Sequence, residues 1–285
     1  MSDIAQVKRA QKFLELHHDP KLLILPNIWD AMGARLLQHL GFPAVATASA
    51  AVAYSLGYDD GEKITFDEML GTIRRVASSV DVPVTADIER GYADTPADLA
   101  RNVRDVIRAG AIGLNIEDSF EEGGELRSID DQCKRLATVR EAADAEGVPL
   151  VINARTDVFL SNVSAPQSAK LEQVIARATA YLDAGGDCVY PILVGDIETL
   201  SAIRAAIDAP INVYASLKTA PMRELEAAGV SRLSLGPGLI KAAMSTMKGV
   251  AKNLQGYGSY DSFTNGVITN DEILEFVDRD KMSGS

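Results

Sequence analysis

The sequence predicts an α/β fold, a (β/α)₈ TIM-type barrel, and two observations carry this prediction. One phrase recurs along the chain, in which an alanine-rich amphipathic stretch ends at Gly and is followed within a few residues by a short apolar run. Gly after a helix supplies a left-handed cap, and a continuous apolar run suits a strand that is buried on both faces. The apolar runs also number eight, which is the strand count of this barrel.

The eight runs are spaced so that a helix fits between them. Five of them end the recurring phrase, at residues 40–49, 109–118, 146–157, 184–193 and 228–236, and three more lie at 22–27, 81–89 and 209–216. An open doubly wound sheet is the competing interpretation. We favour the barrel because the chain has no GxGxxG after its first strand and no second domain to complete a cleft.

The domain organisation follows from where this rhythm stops. We expect a barrel with an N-terminal helix over residues 1–250, a length that is usual for one such core. Residues 251–285 form a Gly/Ser/Tyr/Asn-rich stretch followed by one amphipathic segment, NDEILEFVDRD. We expect this C-terminal helical tail to pack on the barrel or on a partner subunit.

Composition excludes several classes of partner. The chain carries 40 acidic and 28 basic residues, a formal charge of -12, which repels nucleic acid and anionic membranes. It has no apolar run of 18 residues, and its two cysteines, Cys133 and Cys188, do not form a disulfide framework. We therefore expect a cytoplasmic protein. An acidic protein that binds an anionic substrate needs a local positive charge, which mildly favours a metal ion.

Polar side chains collect where the apolar runs end, at the face where barrel enzymes place their chemistry. The prediction is that six carboxylates and one arginine converge there with several neutral groups: Asn27, Trp29, Asp30, Ser49, Asp87, Glu89, Asn115, Glu117, Asp118, Asn153, Arg155, Asp157, Asn212, Ser216 and Ser234. Carboxylates this close repel one another unless a cation lies between them, and their oxygens suit Mg²⁺ or Mn²⁺.

Asp87 is the best candidate for direct metal binding, with Glu89 and Glu117 behind it through bridging waters. The alternative is that these acids cap helices or form ion pairs. His17, His18 and His39 all lie in N-terminal helical stretches, and none follows a strand, which disfavours a zinc site or a histidine base.

Arg155 ends an otherwise apolar run, so its guanidinium must be paired. It can neutralise Glu117 or Asp157, or it can recognise a substrate carboxylate bidentately, and both roles are compatible. Trp29 either packs beneath a loop or walls the pocket.

Three further features have two interpretations each. Residues 118–128, DSFEEGGELRS, form either a lid over the substrate or an ordinary solvent loop. Cys133 is a packing residue of an amphipathic helix or a reactive thiol. Lys218 faces solvent or serves as a Schiff-base lysine.

Together the strand-end motifs resemble those of the isocitrate lyase/phosphoenolpyruvate phosphonomutase superfamily. The resemblance covers residues 20–250 and rests on LPNIWDAMGARLL, ATASAAVAYSLGYDDGE, PVTADIERGYAD, GLNIEDS, VINARTD and SRLSLGPGL. It implies a barrel whose last helix is exchanged between subunits of a homodimer or homotetramer, and a Mg²⁺ site that holds 2-oxo-carboxylates.

The resemblance also assigns roles by position. It makes Asp87, Glu89 and Glu117 the metal-shell acids, and Asp60, Glu117 and Arg155 the catalytic group. Its implied substrate-binding set includes the carboxylate-binding turn and its surroundings: Trp29, Ser49, Ala50, Ala51, Asp87, Tyr92, Asn115, Arg155 and Asn212.

Two departures limit the choice of reaction. The superfamily's lyases carry a K-[KR]-C-G-H lid and its phosphonomutases use Lys and Asn there, whereas this chain has SFEEGGELR. What remains is the shared half-reaction, in which an enolate of a 2-oxo acid leaves as a bond breaks. We predict a Mg²⁺-dependent lyase or decarboxylase of a small 2-oxo-carboxylate that cleaves a C–C bond. The alternatives are a C–P bond enzyme, Schiff-base chemistry at Lys218, and a non-catalytic oxo-acid binding protein.

Overall fold

The computed structural model describes residues 4–121, 124–161 and 164–277. In these ranges the strands are β1 Leu23–Leu25, β2 Asn27–Ile28, β3 Val45–Thr47, β4 Val84–Asp87, β5 Gly113–Glu117, β6 Val151–Thr156, β7 Cys188–Pro191, β8 Asn212–Tyr214 and β9 Arg232–Ser234. The helices are α1 Ile4–His17, α2 Ala31–His39, α3 Ser49–Ser55, α4 Phe66–Ala77, α5 Pro96–Arg108, α6 Ile129–Glu146, α7 Gln167–Asp183, α8 Ile197–Ala206, α9 Met222–Ala227, α10 Gly238–Gln255, α11 Asp261–Thr264 and α12 Asn270–Val277.

All strand pairs within these ranges are parallel, and they close into a ring. The order β2-β3-β4-β5-β6-β7 forms one ladder, and β1-β9-β8 forms another. A single bridge between Val189 and Ile211 joins β7 to β8, while β1 and β2 are one strand interrupted at Pro26, which has no N–H to donate. Eight strand positions therefore enclose the core, and the predicted (β/α)₈ barrel is confirmed.

Helix α1 covers the amino-terminal end of the barrel. Its Phe13 belongs to the same buried cluster as Leu25 and Leu114 of the strands. Gly113 gives it room, because a Cβ there would stand 3.0 Å from a ring carbon of Phe13 and 2.9 Å from Thr85 Oγ1. The bottom of the barrel is thus sealed by apolar packing, which leaves the opposite face open for binding.

His17 is the last residue of helix α1, and its burial predicts that the stability of the protein depends on pH. Burial, the nearby Arg232 and His18 lower the pKa of His17 to about 3, although its Nδ1 lies 2.8 Å from the carbonyl oxygen of Phe13. In the unfolded chain His17 has an ordinary pKa of 6.5. Between this pH and the folded pKa of about 3, the unfolded chain therefore binds a proton at His17 and the folded chain does not. The contribution of neutral His17 to the free energy of unfolding is therefore fully present above pH 6.5, and it falls as the pH is lowered.

We expect urea unfolding to show this as a loss of about 2 kcal/mol from His17 between pH 6.5 and pH 5. The His17→Leu variant should lack this part of the pH dependence. The exposed neighbour offers a matched control, because His18→Gln should keep the slope of the natural chain. Equal slopes for His17→Leu and the natural chain would contradict the assignment.

The C-terminal part differs from an ordinary barrel helix. Helix α10 runs five residues past 250, the predicted end of the barrel domain, and only Ile240 of its 18 residues is buried. Helix α12 packs on α2 of the same chain: Arg35 Nη1 donates to the carbonyl of Val277 at 2.6 Å, and His39 contacts the ring of Phe276. Within the described part of the tail, α12 thus contacts α2, and the predicted domain boundary at residue 250 stays a prediction; residues 278–285 lie outside the described ranges.

None of the helices in the described ranges combines the length and apolar character needed to cross a bilayer.

Candidate active site

A pocket opens at the carboxyl ends of the strands, and we call it the mouth pocket. Its described lining comes from seven strands, from α3, from the start of α10 and from the loops beside them: Asn27, Ala48, Ser49, Ala50, Tyr54, Asp60, Asp87, Asn115, Arg155, Leu160, Tyr190, Ile192, Leu193, Tyr214, Ser234, Gly236, Pro237 and Lys241. Eight residues that were predicted at the strand ends or from the resemblance line it: Asn27, Ser49, Ala50, Asp60, Asp87, Asn115, Arg155 and Ser234.

Asp87 is fixed in the mouth pocket by the neighbouring strand. It is the last residue of β4, and its N–H donates to Thr47 Oγ1 at 3.0 Å. Its Oδ2 accepts hydrogen bonds from the Ser49 N–H at 3.2 Å and from the Ser49 hydroxyl at 3.0 Å. The resemblance assigns Ser49, with Ala50 and Ala51, to the turn that holds a substrate carboxylate; in this structure the N–H and hydroxyl of Ser49 are directed at Asp87.

Glu89 lies behind the mouth pocket. Its backbone takes the left-handed φ of 52°, which turns the chain sharply after the strand. Its carboxylate accepts from the Glu62 N–H at 2.6 Å and from the Tyr92 hydroxyl at 3.1 Å. Burial, and then repulsion by Asp60, Asp87 and Glu62, raise the pKa of Glu89 to about 8. We call Asp60, Glu62, Asp87 and Glu89 the acid cluster; such a cluster favours a bound cation.

Glu117, at the end of β5, is held between two guanidinium groups. Arg155 Nη1 lies 2.7 Å from its Oε2, and Arg90 Nη1 lies 3.4 Å from its Oε1. Burial raises the pKa of Glu117 and the Arg155 charge lowers it, while the acids around Arg155 hold the pKa of that guanidinium well above its usual value. The two guanidinium groups stabilise the ionised form of Glu117 and so oppose the burial that raises its pKa.

Arg155 also binds Asp157 through both arms of its fork, Nε to Oδ1 at 2.6 Å and Nη2 to Oδ2 at 3.1 Å. The neutralising role considered for Arg155 is therefore observed. Three of its five N–H groups are used, and Arg155 still lines the mouth pocket with two remaining.

The prediction that six strand-end carboxylates converge is wrong for three of them. Asp30 caps α2, accepting from the Gly33 N–H at 2.7 Å. Asp157 pairs with Arg155 and accepts a hydrogen bond from the Ser119 hydroxyl at 2.9 Å. Asp118 points outward and is described below. For Asp30 and Asp157 the alternative of helix capping or ion pairing is therefore the one observed.

Asp118 joins the barrel to its outer helix. It is fully buried and accepts from Tyr181 Oη at 2.8 Å and Arg177 Nη1 at 3.1 Å, both on α7, and from Thr156 Oγ1 at 2.8 Å and the Asp157 N–H at 2.9 Å. Alternation along a strand explains this, since neighbours Glu117 and Asp118 face opposite sides.

Several other predicted residues do not line the mouth pocket, although one of them, Glu117, contacts Arg155, which does. Glu89, Glu117, Ala51, Tyr92, Asn212 and Trp29 are absent from its described lining. Asn212 is fully buried and accepts from the Ser234 hydroxyl at 3.1 Å. Trp29 packs against Ala48, Ala51 and Ile240, which is the packing role considered for it.

The loop over residues 118–128 is an ordered hairpin in its described part. Ser119 and Leu126 form an antiparallel bridge, and the Arg127 guanidinium lies 4.3 Å from the centre of the Phe120 ring. None of its described residues lines the mouth pocket. Residues 122 and 123 of the predicted lid lie outside the described ranges.

The remaining candidates have packing or surface positions. Cys133 is half-buried with its Sγ 3.4 Å from the carbonyl oxygen of Ala180. Lys218 is exposed in the turn after β8 and does not line the mouth pocket, in line with its solvent-facing interpretation.

Sequence reasoning missed Glu62, Arg90, Tyr190, Tyr214 and Lys241. Glu62 accepts from the Tyr92 N–H at 2.8 Å and pairs with Arg90 at 3.2 Å, so it holds the turn after β4 in place. Arg90 could have been predicted as a site residue, because it directly follows Glu89 in the sequence. Glu62 lies in the loop between α3 and α4, and Tyr190, Tyr214 and Lys241 come from two strands and a helix whose ends meet only in the closed ring.

Comparison with known proteins identifies the family. Residues 13–255 match the family model described as phosphoenolpyruvate phosphomutase. The chain belongs to this family. An uncharacterized protein of Mycobacterium tuberculosis is 34% identical over 79% of this chain and 81% of its own length. The 2-methylisocitrate lyase of Escherichia coli is 27% identical over 87% of this chain and 85% of its own length.

A Burkholderia cenocepacia protein, provisionally named a lyase/mutase, has a similar solved structure. It is 33% identical with a TM-score of 0.89, over 98% of this chain and 99% of that one. The predicted membership of the isocitrate lyase/phosphoenolpyruvate mutase superfamily is therefore confirmed. The chain is an enzyme of this superfamily, whose members include lyases and mutases.

Proposed function

We propose that this phosphoenolpyruvate phosphomutase family member is a Mg²⁺-dependent lyase that breaks a C–C bond of a small 2-oxo-carboxylate such as oxaloacetate. One observation carries the proposal: Asp87 presents a carboxylate, fixed by Ser49 and Thr47, in a pocket that Asp60 and Arg155 also line. Oxygen ligands and a guanidinium at one mouth fit a metal and the carboxylate that it chelates.

The donor set fits Mg²⁺. No three acidic, histidine or cysteine side chains in the described ranges already surround a single point at metal-binding distance. Mg²⁺ does not require that, because it keeps several waters and often binds through one or two carboxylates. Asp87 would hold the ion directly, and Glu89 and Glu117 would order its waters. When bound, the ion supplies Lewis-acid polarisation of the oxo group; Mn²⁺ suits the same oxygens.

The protein's own groups stabilise the charge that develops. Breaking the C–C bond leaves its electron pair on the carbon next to the oxo group, which delocalises to the oxo oxygen as an enolate. Arg155 has two unused N–H groups to donate to that oxygen or to the substrate carboxylate. Burial raises the pKa of Tyr190, so its phenol stays protonated and can donate as well.

A metal-supplemented screen of 2-oxo acids and 2-hydroxy-tricarboxylates tests this function, with release of pyruvate, glyoxylate, oxalate or CO₂ as the readout. We expect turnover of a 2-oxo-carboxylate or its adduct that stops in EDTA and returns with Mg²⁺. Full activity in EDTA would contradict the metal, and turnover confined to phosphonopyruvate would favour the C–P alternative.

We also propose that the enzyme is a homo-oligomer in which α10 packs on a partner subunit. Apolar side chains are exposed along α10 and in the residues that follow it, including Met244, Met247, Tyr257 and Phe263. Exposed apolar patches of this kind mark protein interfaces. Light scattering should give a dimer or tetramer for the natural chain, and Met247→Glu should lower its mass. A control on the same helix, Lys248→Glu, should reduce it less; a monomeric natural chain would contradict the proposal.

A further inference from the structure

Lys241 is the second cation of the mouth pocket. It lies in the first turn of α10, directly after the turn that follows β9, and it lines the pocket. Within the described ranges its ammonium group has no carboxylate at ion-pair distance and no hydrogen-bond partner. Arg155, the other cation of the described lining, is engaged by Glu117 at 2.7 Å and by Asp157 at 2.6 Å. Of these two cations of the described lining, Lys241 is therefore the one whose charge is not already paired with a carboxylate.

The position of Lys241 complements that of the acids. The ring order places β9 next to β1, three strand positions from β4 and three from β6. The strand before Lys241 is thus separated along the ring from the strands that carry Asp87 and Arg155, while Ile240, the residue before Lys241, packs against Ala48 and Ala51. Tyr190, Ile192 and Tyr214, from β7 and β8 and the residues after β7, line the same pocket. A ligand that reaches both Arg155 and Lys241 needs an anionic group for each of them.

Charge balance supports such a cation. Within the described ranges, Arg90 pairs with Glu62 and Glu117, and Arg155 pairs with Glu117 and Asp157. Asp87 and Glu89 lie among further acids, because Asp60, Asp87 and Glu62 all raise the pKa of Glu89. Even with a divalent ion bound, the acids remain in formal excess at this side of the mouth. A dianionic substrate would meet repulsion there, so its second carboxylate is best placed beside a separate positive charge.

We propose that Lys241 selects dicarboxylic 2-oxo acids by binding the carboxylate farther from the oxo group. This inference rests on the proposed function, because it assumes that the first carboxylate binds at the Asp87 and Arg155 side. Lys241 acts here as a specificity-determining residue, whose loss affects a dicarboxylate and spares a monocarboxylate.

Calorimetric titration with Mg²⁺, in the cold so that turnover is slow, tests the proposal with oxaloacetate and pyruvate as probes. We expect the natural chain to bind oxaloacetate more tightly than pyruvate. Lys241→Met should weaken oxaloacetate binding by about 10–100-fold, the range for a charge-assisted hydrogen bond, and leave pyruvate binding within about 2-fold. Lys241→Arg should keep most of the preference. Lys248→Met, two turns along the same exposed helix, should change neither affinity.

The possible failures are distinguishable. Equal weakening of both ligands, or no change for either, in Lys241→Met would overturn the role of Lys241 and leave the oxo-acid site standing. Failure of the natural chain to bind either ligand with Mg²⁺ would overturn the proposed function and this proposal with it. Melting curves of each variant, expected to match the natural chain, exclude loss of folding as the cause.

Discussion

Replacing Asp87 by Ala should abolish metal-dependent turnover of whichever oxo acid the screen identifies. Asp87 is the carboxylate that the structure presents in the mouth pocket, and it is the proposed direct ligand. Loss of an outer partner of a metal site already costs roughly 10–100-fold in affinity or activity, so loss of the direct ligand should cost more. Mn²⁺ binding followed by electron paramagnetic resonance gives a readout that does not depend on turnover, and it should weaken in parallel.

The matched control for this variant is Asp94→Ala, an exposed acid in the segment that follows the same strand. It should keep both activity and Mn²⁺ affinity. Asp87→Ala leaves the Ser49 hydroxyl and N–H without their acceptor, which should lower the free energy of unfolding by about 1–3 kcal/mol and leave a folded protein. Unchanged Mn²⁺ binding in a folded Asp87→Ala protein would contradict the assignment.

Replacing Asp118 by Ala should have the largest effect on stability. The change leaves the buried guanidinium of Arg177, a residue of α7, without its counter-charge. It also removes the acceptor of Tyr181 Oη and Thr156 Oγ1. Breaking one side of a buried ion pair costs about 3–5 kcal/mol. Urea unfolding monitored by circular dichroism measures this loss directly.

Two comparisons make the Asp118 prediction specific. Asp130→Ala removes a carboxylate whose partner Lys134 is exposed, so it should cost less than about 1 kcal/mol. Adding Arg177→Met to Asp118→Ala should cost less than the sum of the single changes, because the unpaired charge is then gone. A loss below about 1 kcal/mol for Asp118→Ala alone would show that the network contributes little.

The fold was predictable because its signals are local and repeated. Five strand positions were visible as an apolar run after a glycine-terminated helix and three as an apolar run alone. A strand lies within every predicted run, and the first is interrupted at Pro26. Asp87 and Arg155 were also predictable as pocket residues, since a barrel brings the carboxyl ends of its strands to one face. The metal roles of Asp87, Glu89 and Glu117 stay predictions.

Which way a strand-end acid faces was not predictable in the same way. Glu117 and Asp118 are neighbours of the same charge, yet one meets Arg155 inside the barrel and the other meets Arg177 outside it. The partners lie 38 and 59 residues along the chain, and a pattern read within one segment contains neither. Lys241 was missed for a similar reason, because it enters the pocket from a helix that follows the last strand.

By itself the sequence determined the barrel, the family and the face on which the site lies, because periodicity and motif spacing act over a few residues. Only the tertiary structure decided which side chains share that site, how Arg155 divides its donors between Glu117 and Asp157, and which cation is left for a ligand. Those outcomes depend on long-range packing and on competition between charges for the same partners. Such competition takes place only once the ring of strands has closed.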